Sequence, residues 1–348
     1  MKFYIKTHPY YCGIDLHART LYLCILDQDG AITLHREIKA NPDQLLTAIK
    51  PFQNRIVIGV ECMFSWYWVA DLCAKHNIRF VLGHALYMKA IHGGKAKNDK
   101  IDSEKIARML KGGMFPMAYV YPAELRSTRD LMRRRIRLMR QRAELIAHVH
   151  NTLSQYNLPA NTNNLRYAKN RDKMRGYFPD QSAQRSIDLD LDRIDFYDTL
   201  LSKLEWYLKQ QAKAADAHAI ILLKSINGVG DILSMTMLYE ISDINRFERV
   251  QDFASYSRLI KCQRESAGKR YGTGGAKIGN AYLKWAFSEA AVLFLRGNPD
   301  AQQWLERKAK QHNKARALTI LAHKLGRAVY FMLKRGHLFD QDKFLAMS

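Results

Sequence analysis

The spacing of apolar residues changes once along the chain, near residue 100, and that change limits the folds open to it. Before it, apolar runs of strand length are separated by turns: Tyr11–Asp15, Thr20–Leu26 and Ile32–Glu37, with Asp27-Gln28-Asp29-Gly30 between the last two. Asn41 followed by Pro42 opens a helix over Pro42–Ile49, as N-cap and first helical residue. Ile56–Val60 is a continuous apolar run of the buried kind, Ser65–Lys75 is helical, and Ile78–Leu82 is strand again. From about residue 103 onward, steps of three and four predict an almost wholly helical chain.

A three-strand meander followed by alternating helix and strand is the order of a ribonuclease-H-like fold. Two long amphipathic segments, roughly 122–156 and 187–217, flank the polar stretch Pro159-Ala160-Asn161-Thr162-Asn163-Asn164. They predict a helical hairpin or coiled-coil-like arm. Residues 218–340 carry helical periods broken by Gly-rich turns. The expected class is therefore α/β plus α.

Charge narrows the partner. The chain has 348 residues with 55 Lys+Arg against 33 Asp+Glu, a net charge of +22. A hydrophobic content of 47% rules out a disordered basic tail, so a folded protein with a polyanionic partner is expected. Cys12, Cys24, Cys62, Cys73 and Cys262 fit neither a metal-binding nor a disulfide pattern and read as reduced thiols. No secretory leader or membrane-length apolar run is present, so a cytoplasmic protein is expected. The densest basic block is Arg126, Arg129, Arg133, Arg134, Arg135, Arg137, Arg140 and Arg142, with only Asp130 interrupting. One amphipathic helix carries all of them, and such a face predicts phosphate contact by Arg126, Arg129, Arg133, Arg134 and Arg137.

Four carboxylates stand out against this charge. Asp15 ends the first strand inside Cys-Gly-Ile-Asp-Leu-His, and Glu61 follows the apolar run Ile56–Val60. Asp99 and Asp102 lie three apart in Lys-Asn-Asp-Lys-Ile-Asp-Ser, on one face of a helix. Each acid taken singly also reads as a turn or cap residue. Brought together, they would repel one another unless divalent cations sat between them, and hard oxygen ligands suit Mg²⁺ or Mn²⁺. Two such ions clamp the attacking and leaving oxygens of a phosphodiester.

Two Gly-rich segments complete the reading. Ile226-Asn227-Gly228-Val229-Gly230 joins an apolar helix end to a new helix, like a helix–hairpin–helix in which Gly228 and Gly230 present backbone N–H groups to phosphate; the same turn also serves as plain C-capping. In Arg264-Glu265-Ser266-Ala267-Gly268-Lys269-Arg270, followed by Lys277, a serine stands among glycines and cations. Its hydroxyl is a candidate nucleophile for phosphate, with Lys269, Arg270 and Lys277 as charge partners, although such loops are commonly flexible surface. No Walker pattern occurs, so no ATP site is expected.

Taken in order, Gly13-Ile14-Asp15, Val60-Glu61, Asn98-Asp99-Lys100-Ile101-Asp102, a long helical arm, Ile226–Gly230 and Glu265-Ser266 resemble the DEDD-type insertion-sequence transposases. These are the bridge-RNA-guided serine recombinases, related to Piv-type DNA invertases. The resemblance covers roughly residues 8–338. It implies a RuvC-like domain over 1–118, a coiled-coil linker over 119–217, and a helical transposase domain with a catalytic serine over 218–348. It further implies Mg²⁺ (or Mn²⁺) at Asp15, Glu61, Asp99 and Asp102, and attack by Ser266 to form a 5′-phosphoserine that religation reverses without ATP. Donor and target DNA, an element-encoded bridge RNA, and dimers pairing into a tetramer with composite sites are the implied partners in a prokaryotic cell. Family members often carry Gly directly after the serine, where this chain has Ala267. Ser103 is a rival hydroxyl that reads better as a packing residue; His17 and Lys97 are expected to touch the carboxylates or a phosphate.

Three functions remain open to the sequence. A recombinase needs Ser266; a RuvC-like Mg²⁺-dependent nuclease would use water instead; a non-catalytic nucleic-acid-binding protein would need neither. An invertase acting without RNA is a variant of the first.

Overall fold

Turn and cap chemistry sets the first strands and helix. The computed structural model describes residues 2–91, 98–159, 164–261, 263–273 and 278–346; Lys97, Cys262, Lys277 and residues 160–163 of the polar loop lie outside the described residues, as does the side chain of Arg270. The chain forms two compact units, Met1–Ala123 and Glu124–Ser348.

In the first unit the elements are β1 (Phe3–Tyr4), β2 (Tyr10–Leu16), β3 (Thr20–Leu26), β4 (Ile32–Lys39), α1 (Pro42–Ile49), β5 (Ile56–Glu61), α2 (Tyr67–Lys75), β6 (Arg79–Gly83), α3 (Ala85–Ile91), α4 (Asp99–Lys111) and β7 (Phe115–Pro116). Asp27 Oδ1 accepts from the backbone N–H groups of Asp29, Gly30 and Ala31 and closes the β3–β4 turn. Asn41 caps α1 through its side chain, with Pro42 at the first turn.

The main sheet runs β4-β3-β2-β5-β6, with β1 and β7 paired apart from it. Its three meander strands are antiparallel, while β2–β5 and β5–β6 are parallel. This is the sheet of a mixed α/β domain consistent with a ribonuclease-H-like fold. Strand alternation divides the core into two layers. Cys12, Ile14, Ile58 and Val60 face a cluster shared with α1 and α2, whereas Tyr11 and Val57 face Ile106, Met109 and Leu110 of α4.

The second unit is mostly helical: α5 (Ala123–Gln155), α6 (Ala168–Asp172), α7 (Gln181–Lys224), α8 (Asp231–Ile241), α9 (Val250–Tyr256), then the hairpin β8 (Gln263–Ser266) and β9 (Lys269–Thr273), then α10 (Ala281–Phe294), α11 (Pro299–Gln311), α12 (Lys314–Arg335) and α13 (Gln341–Ala346). The helix α7 is longer than its apolar period predicts. Asp180 caps its start, and at Asp216 the backbone leaves helical geometry while the side chain accepts from Ala219 N–H and restarts the helix.

Ion pairs show that α5 and α7 run antiparallel, because Arg135 meets Glu205, Arg142 meets Asp198 and His148 meets Asp190. Among the described residues, no helix is long and apolar enough to cross a membrane.

Candidate active site

Two glycines decide where α4 rests. A Cβ at Gly13 would stand 2.3 Å from both Ala107 N and Ser103 O, and one at Gly59 would stand 2.5 Å from Leu110 Cδ1. Bare Cα atoms on β2 and β5 thus let the helix backbone lie almost against the sheet. Asp15 and Glu61 each follow one of these glycines by two residues, so they project on the same face as α4. Ile14 is the register partner of Val60, which sets Asp15 and Glu61 at equivalent rungs of adjacent parallel strands. The first turn of α4, capped by Asn98 (Oδ1 accepts from Ile101 N–H at 2.8 Å), carries Asp99 and Asp102.

His17, just past the end of β2, ties strand and helix together. Its Nε2 lies 3.4 Å from Asp15 Oδ2 and 3.2 Å from Asp99 Oδ2. Asp15, His17 and Asp99 offer ligand atoms that all lie within 4.8 Å of one another. Burial raises the Asp15 carboxyl above the usual carboxylate range, the charges of Asp99 and Asp102 add to this, and His17 opposes it. Asp102 lies 3.5 Å from Lys105 Nζ, one turn along α4. A partly buried Asp15 carboxyl beside further carboxylates, open to solvent through the half-exposed Asp99 and His17, is the electrostatic setting that a divalent cation relieves. Ser103 is fully buried and donates to Lys100 O at 2.8 Å, in keeping with a packing role.

Ser266 ends β8 and pairs with Lys269 across the two-residue turn Ala267-Gly268. Both turn residues have positive φ, 49° at Ala267 and 74° at Gly268, the geometry of a tight hairpin turn. Ser266 and Lys269 are exposed.

The arginine-rich helix departs from the expected uniform phosphate-facing surface. Arg126 and Arg129 are only 6% and 9% exposed. Arg129 and Arg133 both donate to the buried Glu240 of α8, at 3.0 Å and 2.6 Å through their Nε atoms. A buried carboxylate needs such partners, and three of the five proposed contacts are turned inward by the packing of α5. Arg134, Arg137 and Arg140 remain exposed.

Gly228 likewise has a packing reason. Its φ is +82°, and a Cβ there would stand 2.6 Å from the carbonyl carbon of Leu293 in α10. Asp231, paired with Lys209 and Lys224, stands at the head of α8 after Gly230, where an anion would otherwise sit.

Sequence reasoning missed Gly13 and Gly59 as builders of the site. Their signal was present, since Gly-x-Asp and Gly-x-Glu recur at the ends of two apolar strands. It also missed Glu240 and Asn280, which carry no local pattern.

The chain matches two transposase family models. The first, a DEDD transposase of the IS110 type, spans residues 12–158, and thus Asp15, Glu61, Asp99 and Asp102. The second, described as the transposase IS116/IS110/IS902 family, spans residues 221–306, which include Ser266. The transposase for insertion sequence element IS1111A of Coxiella burnetii (strain RSA 493 / Nine Mile phase I) is 22% identical over 332 residues, covering 93% of this chain and 89% of that protein.

Proposed function

Because the chain belongs to the IS110-type DEDD transposases, we propose that it cuts and rejoins DNA through a phosphoserine on Ser266, with divalent cations at Asp15, Glu61, Asp99 and Asp102. The observation that carries this reading is the cluster of Asp15, His17 and Asp99, with ligand atoms within 4.8 Å of one another at the end of β2. The donor set, hard carboxylate oxygens with one imidazole beside them, fits Mg²⁺ or Mn²⁺. A cation held there supplies positive charge to the non-bridging oxygens of a scissile phosphate.

The chain's own residues supply the rest. Ser266 Oγ forms a bond to phosphorus as the bond from phosphorus to O3′ breaks; Oγ loses its proton and O3′ gains one. The 3′-hydroxyl of a partner strand then attacks the phosphoserine, returns the proton to Ser266 and restores a phosphodiester, so bond energy is conserved without ATP. Lys269, opposite Ser266 in the hairpin, offers charge to the five-coordinate transition state. His17 holds Asp15 and Asp99 in a fixed relation. Exposed Arg134, Arg137 and Arg140 grip backbone phosphate.

We infer further that an element-encoded bridge RNA pairs with donor and target DNA and that the enzyme is a homo-oligomer. Support for a nucleic-acid partner is the net charge of +22, most of it after residue 122 because the first 122 residues hold 16 basic and 10 acidic side chains.

The test incubates the protein with nicked DNA carrying an insertion-sequence end and Mg²⁺, followed by a denaturing gel. The wild type is expected to give a covalent protein–DNA adduct and Ser266→Ala none. Free cleaved ends that persist with Ser266→Ala would instead identify a hydrolytic nuclease. A discrete RNA co-purifying with the protein is expected, and its absence from an active preparation would favour an RNA-independent invertase.

A further inference from the structure

The Ser266 hairpin rises from a neck whose two sides are tied together. Asn280 N–H donates to Tyr256 O at 2.6 Å, and Arg258 Nε donates to Gly279 O at 3.0 Å. Gly279 has a φ of +88°, and a Cβ there would stand 2.6 Å from Tyr256 O. The chain therefore leaves α9 and enters α10 at nearly the same place, with the hairpin between.

Asn280 uses every polar atom it has. Its Oδ1 accepts from Tyr282 and Leu283 N–H at 2.9 Å and 3.0 Å, capping α10. Its Nδ2 donates to Glu240 Oε2 at 2.7 Å and to Tyr256 Oη at 3.3 Å. Glu240, 2% exposed, is held in turn by Arg129 and Arg133 of α5, and the Arg133 guanidinium lies 4.5 Å over the ring of Tyr282. A plain helix cap needs only the acceptor, which Ser, Thr and Asp provide as well as Asn. The amide donor is what joins the neck to Glu240, and so to α5 and α8.

We propose that Asn280, anchored by Glu240, is a positioning residue that fixes the neck of the hairpin and thereby the direction in which Ser266 is presented. The inference rests on the reading of Ser266 as the nucleophile. Misplacing a nucleophile by about 1 Å costs up to about 100-fold in rate, whereas binding of a long DNA backbone is shared among many cations and scarcely changes.

The experiment uses Asn280→Ser, which keeps the cap and removes the donor. Adduct formation on nicked DNA is followed in single turnover across DNA concentrations, beside wild type and Ser266→Ala. Amide hydrogen exchange is read on DNA-free protein. Asn280→Ser is expected to lower the saturating rate about 10- to 100-fold, to leave the half-saturating DNA concentration within about twofold, and to speed exchange in residues 263–273. A wild-type saturating rate, with Ser266→Ala inactive, overturns the positioning role alone. An adduct that survives Ser266→Ala overturns the nucleophile reading, and the positioning inference with it. In the wild type, the amide of Asn280 should exchange as slowly as those of α10; fast exchange there overturns the inference whether or not the variant folds.

Discussion

Gly13 lies directly beneath the backbone of Ala107: a Cβ built on the strand residue would stand 2.3 Å from the helix nitrogen. Backbone cannot give way as a side-chain tip can, so this contact fixes the height of α4 above the sheet. It also fixes the height of Asp99 and Asp102 above Asp15 and Glu61. Gly13→Ala is therefore expected to destabilise the first unit by about 1–3 kcal/mol, the usual cost of overpacking. It should also weaken Mn²⁺ binding although no ligand is changed. Thermal melts with and without Mn²⁺ test both effects.

Asp15→Asn bears on the cation site in another way. The neutral side chain removes the charge that burial and Asp99 disfavour, so the metal-free protein should melt no lower than wild type. The stabilisation that Mn²⁺ gives, about 2.7 kcal/mol at a hundredfold excess over Kd, should disappear. Calorimetry with Mn²⁺ titration measures this, and an unchanged Mn²⁺ shift would remove Asp15 from the site.

Glu240 carries a pH prediction. Burial alone would push its carboxyl up, but hydrogen bonds from Arg133 and Asn280 and the charges of Arg129 and Arg133 outweigh burial and hold it below the usual carboxylate range. Its contribution is then present above the unfolded value and lost as pH falls through the lower folded value. Acid should destabilise the second unit below about pH 4.5. Glu240→Gln should flatten that limb and cost about 3 kcal/mol at neutral pH by leaving the arginines uncompensated. Urea unfolding across pH resolves the two curves.

Ala267 occupies a backbone region that side chains disfavour, with φ at 49°. Ala267→Gly should stabilise the hairpin by up to about 1 kcal/mol, the left-handed penalty less the added freedom of glycine in the unfolded chain. Slower amide exchange in the hairpin, with no loss of adduct formation, is the expected result.

What was legible in the sequence was whatever is decided locally. Asn41-Pro42 announced α1, the Asp27 turn announced β4, and the apolar run before Glu61 marked a buried strand; each lies where its residues predict. The spacing of Asp99 and Asp102 placed both in one helical turn. That this turn lies over the end of β2 depends on Gly13 and Gly59, read at first only as part of a motif and an apolar run. The arginine helix shows the limit more sharply. Periodicity tells which arginines share a face, not what the face meets, and Glu240 lies 107 residues from Arg133 along the chain. Arg129 and Arg133 are spent on it, as Arg135 and Arg142 are on Glu205 and Asp198.

The phosphoserine is a single covalent bond whose place in the chain can be read directly. Cleavage after Arg264 and Lys269 would release Glu265-Ser266-Ala267-Gly268-Lys269, in which Ser266 carries the single hydroxyl. Trapping the protein on nicked DNA with Mg²⁺, digesting both polymers and reading the nucleotide-bearing peptide by mass spectrometry should find that pentapeptide with a nucleotide phosphate on Ser266. A nucleotide on any other peptide, or cleaved DNA with free 5′ ends and no peptide attached, would contradict the account.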